Sequence, residues 1–171
     1  MGGMLRPDTI RVPITDLGDY LRMTFGDPRE VATAELSAAR PRLVVADDHK
    51  LVLRAVVRLL SEEFDVVETA SDGSLALRAA ERLDPDAIVL DISMPGLDGI
   101  EVARRLKAAG SRARIVFLTV HDDPDFLRVA LEAGAHGYIL KSRMHEELVH
   151  AIHAAFRDRI FVSPVRGRAD H

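Results

Sequence analysis

Four short apolar runs in this chain end beside side chains that can carry charge or donate a hydrogen bond. The runs cover residues 43–46, 87–90, 115–118 and 138–140, and runs of this length predict buried strands. A proline and a glycine come soon after the second run and predict that its strand breaks into a loop. The residues that follow the four runs are, in chain order, Asp47 with Asp48, Asp91, Thr119 and Lys141.

These side chains could act together if the four strands are parallel neighbours. The carboxyl ends of parallel strands meet at one sheet edge, where open α/β sheets bind their ligands. Three clustered carboxylates repel one another and raise each other's proton affinity, and a hard cation between them relieves the repulsion. Because the available ligands are oxygen atoms, the expected ion is Mg²⁺. The hydroxyl and the ammonium group are then free to bind an arriving anion.

Strand and helix patterns alternate from residue 42 onward, and these elements must position the strand-end residues. The sequence predicts strands near residues 42–47, 65–70, 86–91, 114–119 and 137–141. It predicts helices near residues 49–62, 73–83, 98–109, 124–133 and 144–157. This alternation predicts an α/β fold, a flavodoxin-like (βα)5 doubly wound parallel sheet with strand order 2-1-3-4-5. The crevice between strands 1 and 3 would gather Asp47, Asp48 and Asp91.

The motifs around these residues resemble the receiver domain of two-component response regulators. Asp91, followed by the pairs Met94-Pro95 and Asp98-Gly99, is similar to the phosphoacceptor loop of that family. The resemblance covers about residues 42–163, and the stretch after Thr119 looks most like the NarL/FixJ class. The family's acidic pair, hydroxyl position and lysine match Asp47 with Asp48, Thr119 and Lys141.

The resemblance implies that Asp91 accepts a phosphoryl group and that Mg²⁺ is the cofactor. The carboxylate would attack the phosphoryl group of a phosphohistidine on a sensor histidine kinase or phosphotransfer protein and form an acyl phosphate. Direct contacts to the ion are implied for Asp48, Asp91 and the backbone carbonyl of Ser93, whereas Asp47 would act through metal-bound water. The ion would neutralise charge on the phosphoryl oxygens.

The same resemblance implies roles for side chains near the fourth and fifth strands. Lys141 would pair with one phosphoryl oxygen, and Thr119 would donate a hydrogen bond to another. Tyr138 would be the switch residue, which turns inward when the hydroxyl moves toward the phosphate. Ser93 and His121, each two residues after a strand-end residue, would tune how fast the acyl phosphate hydrolyses.

Several of these side chains also have simpler interpretations. Asp48 precedes the first helix and could cap it. Tyr138 could be a half-buried side chain that packs on the fourth or fifth helix. A lone histidine at a strand exit, such as His121, is more often a solvated loop residue. His150 and His153 lie three residues apart, but no third ligand at helical spacing completes a metal site.

The residue after the predicted lysine departs from the family pattern. Many receivers have a proline there in a cis bond, whereas this chain has Ser142. A non-proline cis bond costs about 3 kcal/mol relative to trans. Ser142 could instead cap the last helix, and the NarL/FixJ class often lacks this proline.

Composition excludes several classes of protein and of site. The chain has no cysteine, which excludes a disulfide framework, a thiol nucleophile and a thiolate metal site. No apolar stretch approaches the ~20 residues that cross a bilayer, and the start of the chain lacks a signal-peptide pattern. A cytoplasmic location without membrane contact is therefore expected. The net charge of −4 gives no broad attraction to nucleic acid.

The sequence predicts three segments with different roles. Residues 1–41 lack a sustained period and are expected to be an N-terminal extension, disordered or with a short helix. Residues 42–160 are expected to be the receiver domain, and residues 161–171 a C-terminal tail or linker remnant. Relatives of the NarL/FixJ class carry a helix-turn-helix module after the receiver, and too few residues follow here to build one. No specific DNA binding by this chain alone is expected, and output would run through protein contacts such as a homodimer.

Other functions compete with that of a signalling phosphoacceptor, which is not an enzyme beyond self-catalysed phosphotransfer and autodephosphorylation. A phosphohydrolase of the HAD type also uses Mg²⁺ and a strand-end aspartate, but it needs a second aspartate where this chain has Ser93. A receiver-like binding module that is never phosphorylated would not need the full strand-end set. A dinucleotide-binding domain is disfavoured because no Gly-x-Gly-x-x-Gly turn follows the first strand.

Overall fold

Six parallel strands run through the middle of residues 39–166, the part of the chain that the computed structural model describes. The strands are β1 (Arg42–Ala46), β2 (Asp65–Ala70), β3 (Ala87–Leu90), β4 (Arg114–Thr119), β5 (Gly137–Leu140) and β6 (Phe161–Val162). The helices are α1 (Lys50–Leu60), α2 (Gly73–Leu83), α3 (Gly99–Ala108), α4 (Pro124–Glu132) and α5 (Met144–Phe156). The spatial order of the strands is β2-β1-β3-β4-β5-β6, which confirms the predicted order for the first five.

Each face of the sheet is covered by its own helical layer and its own apolar cluster. On one face α2, α3 and α4 pack against alternate strand residues such as Val44, Ile88 and Phe117. On the other face α1 and α5 pack against the intervening residues, among them Val45 and Val89. Because strands with both faces covered are apolar throughout, they produce the continuous apolar runs visible in the sequence.

The strand register determines which strand ends lie side by side. Ala46 is paired with Leu90, so the residues that follow them leave β1 and β3 at the same level. Thr119 is paired with Leu140 on the neighbouring strands β4 and β5. The carboxyl edge of the sheet therefore carries the predicted residues in adjacent positions.

Three of the five helices within residues 39–166 begin with an aspartate whose side chain accepts a hydrogen bond from a first-turn amide. These aspartates are Asp72, Asp98 and Asp123. Helix α1 differs, because His49 is at its N-cap position and makes no side-chain cap hydrogen bond. The alternative interpretation of Asp48 as a helix cap is therefore wrong, and this carboxylate is available for other contacts.

The loop after β5 does not have the form expected if Ser142 capped the last helix. Lys141–Arg143 form a single 3₁₀ turn, and helix α5 begins after Arg143 without a side-chain cap. Ser142 does not cap this helix, because the turn places Arg143 at the N-cap position. Residues 39–166 contain no cis peptide bond, so the chain passes Ser142 in the trans form.

The described residues cover the predicted receiver segment and only parts of the two predicted terminal segments. Residues 1–38 and 167–171 lie outside the described residues, so the expectations for most of the N-terminal extension and for the last residues stay predictions. Strand β6 was not predicted, and it joins the start of the expected C-terminal tail to the sheet. Among residues 39–166, no helix has the length and apolar character needed to span a bilayer.

Candidate phosphoacceptor and metal site

A buried ion-pair cluster lies at the carboxyl edge where β1, β3 and β5 end. Asp47 and Asp91 are each only 2% exposed. The ammonium Nζ of Lys141 lies 2.6 Å from Oδ2 of Asp47 and 3.1 Å from Oδ2 of Asp91. The lysine thus bridges two carboxylates that would otherwise repel each other in a region of low dielectric.

Burial and charge shift the proton affinities of this cluster. Burial raises the pKa of Asp91 above its ordinary value, with a smaller contribution from the charge of Asp47, and the pairing with Lys141 opposes the rise only in part. Burial alone would lower the pKa of Lys141, but its hydrogen bond to Asp47 and the charges of both aspartates raise it. Lys141 is therefore positively charged at neutral pH. Any further positive charge would stabilise the ionised carboxylate of Asp91 beside it.

The residues around Asp91 form a set of ligand atoms that could hold a metal ion. One ligand atom from each of Asp47, Asp48, His49 and Asp91 lies within 4.8 Å of all the others. The Oδ1 atom of Asp91 is buried and has no hydrogen-bond partner among residues 39–166. A buried carboxylate oxygen without a donor is costly, and a cation is a suitable partner for it. The three carboxylates favour a hard ion such as Mg²⁺.

His49 is a candidate ligand that the sequence interpretation missed. Its Nδ1 atom lies 2.8 Å from Oδ1 of Asp48 and 3.4 Å from Oδ1 of Asp47. The backbone amide of His49 also donates to Oδ1 of Asp47 at 2.8 Å. The signal was present in the sequence, since His49 directly follows the acidic pair, but its type is uncommon for an oxygen-rich Mg²⁺ site.

Thr119 and Tyr138 are linked through the backbone of a single residue, His121. The hydroxyl oxygen of Thr119 accepts a hydrogen bond from the His121 amide at 3.2 Å. The phenol of Tyr138 donates to the His121 carbonyl at 2.8 Å. Both side chains are fully buried, and burial together with the charges of Asp123 and Asp122 raises the pKa of Tyr138 to about 12. A shift of the Thr119 hydroxyl would therefore reach Tyr138 through the backbone of His121.

The His121 side chain contacts both the loop after β3 and helix α4. Its ring stacks on Phe126 with ring centres 3.9 Å apart and planes inclined by 13°. Its Nε2 atom lies 2.6 Å from the hydroxyl of Ser93. His121 is a partly exposed loop residue, as the simpler interpretation has it, and α4 supplies a stacking partner that orients its ring. Ser93 and His121 form a polar contact between the loops that follow β3 and β4.

The structure brings the predicted residues together to different extents. Asp47, Asp91 and Lys141 form direct ion pairs, Asp48 joins them through the possible metal ligand set, and Thr119 is buried at the same edge. Ser93 is in the loop after β3, where its hydroxyl contacts His121 and its backbone amide acts to lower the pKa of Asp91. His153 pairs with Glu63 at 2.5 Å, and neither it nor His150 joins a possible metal ligand set among the described residues.

Comparison with known proteins gives matches that span this same region. Residues 43–153 match the response regulator receiver domain. The chain is 33% identical over 125 residues to the transcriptional regulatory protein DegU of Brevibacillus brevis, which covers 72% of this chain and 53% of DegU. It is 36% identical over 123 residues to the nitrate/nitrite response regulator protein NarL of Escherichia coli K12, covering 71% of this chain and 57% of that protein.

A solved structure of similar size also matches. The signal receiver domain of NarL from Mycobacterium tuberculosis superposes with a TM-score of 0.68 at 36% sequence identity. The superposition covers 71% of this chain and 99% of that domain. The chain spans about half the length of the curated relatives that it matches.

Proposed function

This chain belongs to the response regulator receiver domain family, and from that premise we propose that Asp91 accepts a phosphoryl group from a phosphohistidine. The observation that carries the proposal is the buried ion-pair cluster, in which Lys141 reaches both Asp47 and Asp91. The donor would be a sensor histidine kinase or a phosphotransfer protein. The family is not a classical enzyme family, and the chemistry proposed is limited to self-catalysed phosphotransfer and autodephosphorylation.

The bond changes can be assigned to the residues at the edge of the sheet. An oxygen of the Asp91 carboxylate attacks phosphorus, and the phosphorus–nitrogen bond of the phosphohistidine breaks as the imidazole nitrogen takes its electron pair. The ammonium of Lys141 then pairs with a phosphoryl oxygen in place of an aspartate oxygen. The Thr119 hydroxyl proton is free to donate to a second phosphoryl oxygen, because its oxygen already accepts from His121.

The ligand set around Asp91 supports Mg²⁺ as the cofactor. Asp48, Asp91 and the backbone carbonyl of Ser93 would hold the ion, and Asp47 would contact it through water. When bound, Mg²⁺ supplies positive charge to the phosphoryl oxygens during transfer. The buried Oδ1 atom of Asp91, without a donor among residues 39–166, supports this assignment.

The wider assignment follows the receiver family. Residues 42–160 would act as the receiver domain in the cytoplasm, with Tyr138 as the switch side chain. The surface near Tyr138 would change its protein contacts, with a homodimer as one form of output. A HAD-type phosphohydrolase is disfavoured, since Ser93 contacts His121 where that mechanism needs an aspartate. A module that is never phosphorylated would have no use for a lysine held between two buried carboxylates.

Phosphorylation of purified protein with acetyl phosphate and Mg²⁺ tests the proposal. Intact mass spectrometry should show the addition of one phosphoryl group to the wild-type chain, and hydroxylamine should remove it because it cleaves acyl phosphates. Asp91→Asn should abolish the addition, whereas Asp65→Asn, at the opposite end of the sheet, should leave it unchanged. EDTA should suppress labelling. An Asp91→Asn variant labelled as well as wild type, or labelling that is indifferent to EDTA, would overturn the assignment.

A further inference from the structure

The edge of strand β5 is occupied by residues 161–166, which we call the C-terminal segment. The amide of Phe161 donates to the carbonyl of His136 at 3.1 Å, and the amide of Ser163 donates to the carbonyl of Tyr138 at 2.8 Å. The segment therefore adds a short sixth strand to the one strand that carries both Tyr138 and, one residue beyond its end, Lys141.

Ser163 is the buried anchor of this segment. Its side chain has no exposed surface, accepts a hydrogen bond from the Leu140 amide at 3.1 Å, and donates to the carboxylate of Glu147. Glu147 is itself buried and also accepts from Arg143. A buried carboxylate is stable only with such donors. If either the segment or the end of β5 moved, the network that joins them would lose a hydrogen bond.

The far end of the segment contacts the loop after β4. The amide of Arg166 donates to Oδ1 of Asp122 at 2.6 Å, and its side chain lies 3.3 Å from Oδ2 of the same carboxylate. Val165 packs against the apolar cluster that contains Tyr138. The segment thus spans from the β5 edge, where Tyr138 is buried, to the residue that follows His121.

We propose that the C-terminal segment is a latch in which Ser163 and Glu147 hold the end of β5, so that docking of the segment and burial of Tyr138 favour each other. Tyr138 and Ser163 share a backbone hydrogen bond, and the loop that accepts the Tyr138 phenol also binds Arg166. Freeing the segment removes the hydrogen bond from the Ser163 amide to the Tyr138 carbonyl. It also removes the contact of Arg166 with the loop that binds the Tyr138 phenol. Ser163 and Glu147 are accordingly positioning residues, since neither touches the reacting atoms.

The latch also responds to what is bound at Asp91, and this extension rests on the proposed function. A phosphoryl group that uses the Thr119 hydroxyl as a donor holds that residue in place, with its oxygen still accepting from His121. This fixes the His121 carbonyl that binds Tyr138. Because linkage is reciprocal, occupation of the site should tighten the segment, and a docked segment should tighten binding at the site. The position where the chain leaves residue 166 then depends on the phosphorylation state.

A ligand-free experiment tests the coupling itself. The chain has only two tyrosines, so ring-labelled tyrosine gives two sets of NMR signals, which a Tyr20→Phe variant assigns. In Ser163→Ala, the Tyr138 signals should move or broaden and the Phe161 amide should exchange faster with solvent. Ser74→Ala, at an exposed serine on α2, is the matched control and should change neither. Arg166→Pro tests the other anchor, because proline removes both the amide donor and the side chain that contact Asp122. The core should be undisturbed, since the Arg166 side chain is 92% exposed.

The two variants decide the latch independently of phosphorylation. Wild-type Tyr138 signals in both Ser163→Ala and Arg166→Pro would overturn the latch. With faster exchange at Phe161 they would rule out the coupling, and with unchanged exchange they would rule out Ser163 and Arg166 as anchors of the segment. Faster exchange at Phe161 together with altered Tyr138 signals in either variant supports it. If Ser163→Ala fails to fold, Arg166→Pro alone decides the outcome.

A second experiment uses beryllofluoride with Mg²⁺ as the probe of the occupied site. In wild type, amide exchange at Phe161 and Ser163 should slow when the probe binds, and Ser163→Ala should bind the probe about five-fold or more weakly. Failure of the wild type to bind the probe counts against the proposed function and leaves the latch to the ligand-free test. Binding with unchanged exchange and equal affinity of the variant would overturn the link between latch and site.

Discussion

Asp91 lies in an environment that suits the proposed attack on a phosphoryl group but disfavours the ionised form of its carboxyl group. Burial raises its pKa, although the neighbouring Lys141 partly compensates. A carboxyl group whose pKa is higher in the folded than in the unfolded chain contributes stability at low pH. That contribution is lost as the pH rises through the folded pKa. At neutral pH the ionised Asp91 therefore costs stability, and a bound cation or a neutral side chain would recover it.

Asp91→Asn should make the metal-free protein more stable at pH 7. A gain on the order of 1 kcal/mol would raise the midpoint of thermal unfolding by about 2–4 °C for a chain of this size. The gain should shrink as the pH falls, because the folded wild type, whose Asp91 has the raised pKa, then becomes protonated at this position. Thermal unfolding in EDTA at pH 7 and near pH 4 measures both effects.

Asp65→Asn is the control, since Asp65 is exposed at the opposite end of the sheet. A loss of stability in Asp91→Asn at neutral pH would contradict the expectation. It would mean that the ion pair with Lys141 outweighs the cost of burying the charge.

At the scale of elements, the sequence was informative wherever a strand or helix carried its own periodic pattern. The five βα units and the strand ends at Asp47, Asp91 and Thr119 follow from apolar runs that alternate with amphipathic helices. Strand β6 was not predicted, because its two residues are too few to show a periodic pattern. Its formation also depends on backbone hydrogen bonds to β5, which is distant in sequence. The contact of Ser163 with Glu147 was likewise not predictable, since only the docked strand brings the two residues together.

Glycines at two helix boundaries give a test of how closely α3 is joined to the site. Gly99 starts α3 and its amide donates to the carbonyl of Ile92. A Cβ atom at Gly99 would lie 2.0 Å from the backbone oxygen of Asp91, which is too close for either backbone to accept. Gly99→Ala should therefore destabilise the fold by about 3 kcal/mol or more and displace the acceptor loop.

Gly110→Ala provides the comparison for this substitution. Gly110 has φ +75° and open space around a Cβ atom, so alanine costs only the strain of the left-handed backbone, about 1–2 kcal/mol. Urea unfolding of both variants measures the difference. Equal stability of the two variants would show that the junction of α3 with Asp91 is not rigid.

At the scale of the whole molecule, residues 39–166 devote all five helices to covering the sheet. The family match ends at residue 153, and the chain spans about half the length of its curated relatives. No described helix pair stands apart from the sheet to present a recognition helix to a DNA groove.

The 171-residue chain alone should therefore not bind DNA with sequence selectivity. Its net charge is −4, and of the arginines near its end Arg166 is paired with Asp122. Residual association through Arg157, Arg159, Arg166 and Arg168 would be electrostatic and would weaken about 100-fold between 50 and 200 mM salt. Repeated selection from a pool of random duplexes near 150 mM salt, with and without acetyl phosphate, should enrich no motif. An enriched motif whose binding persists at that salt concentration would show that base readout does not require a separate helix-turn-helix module here.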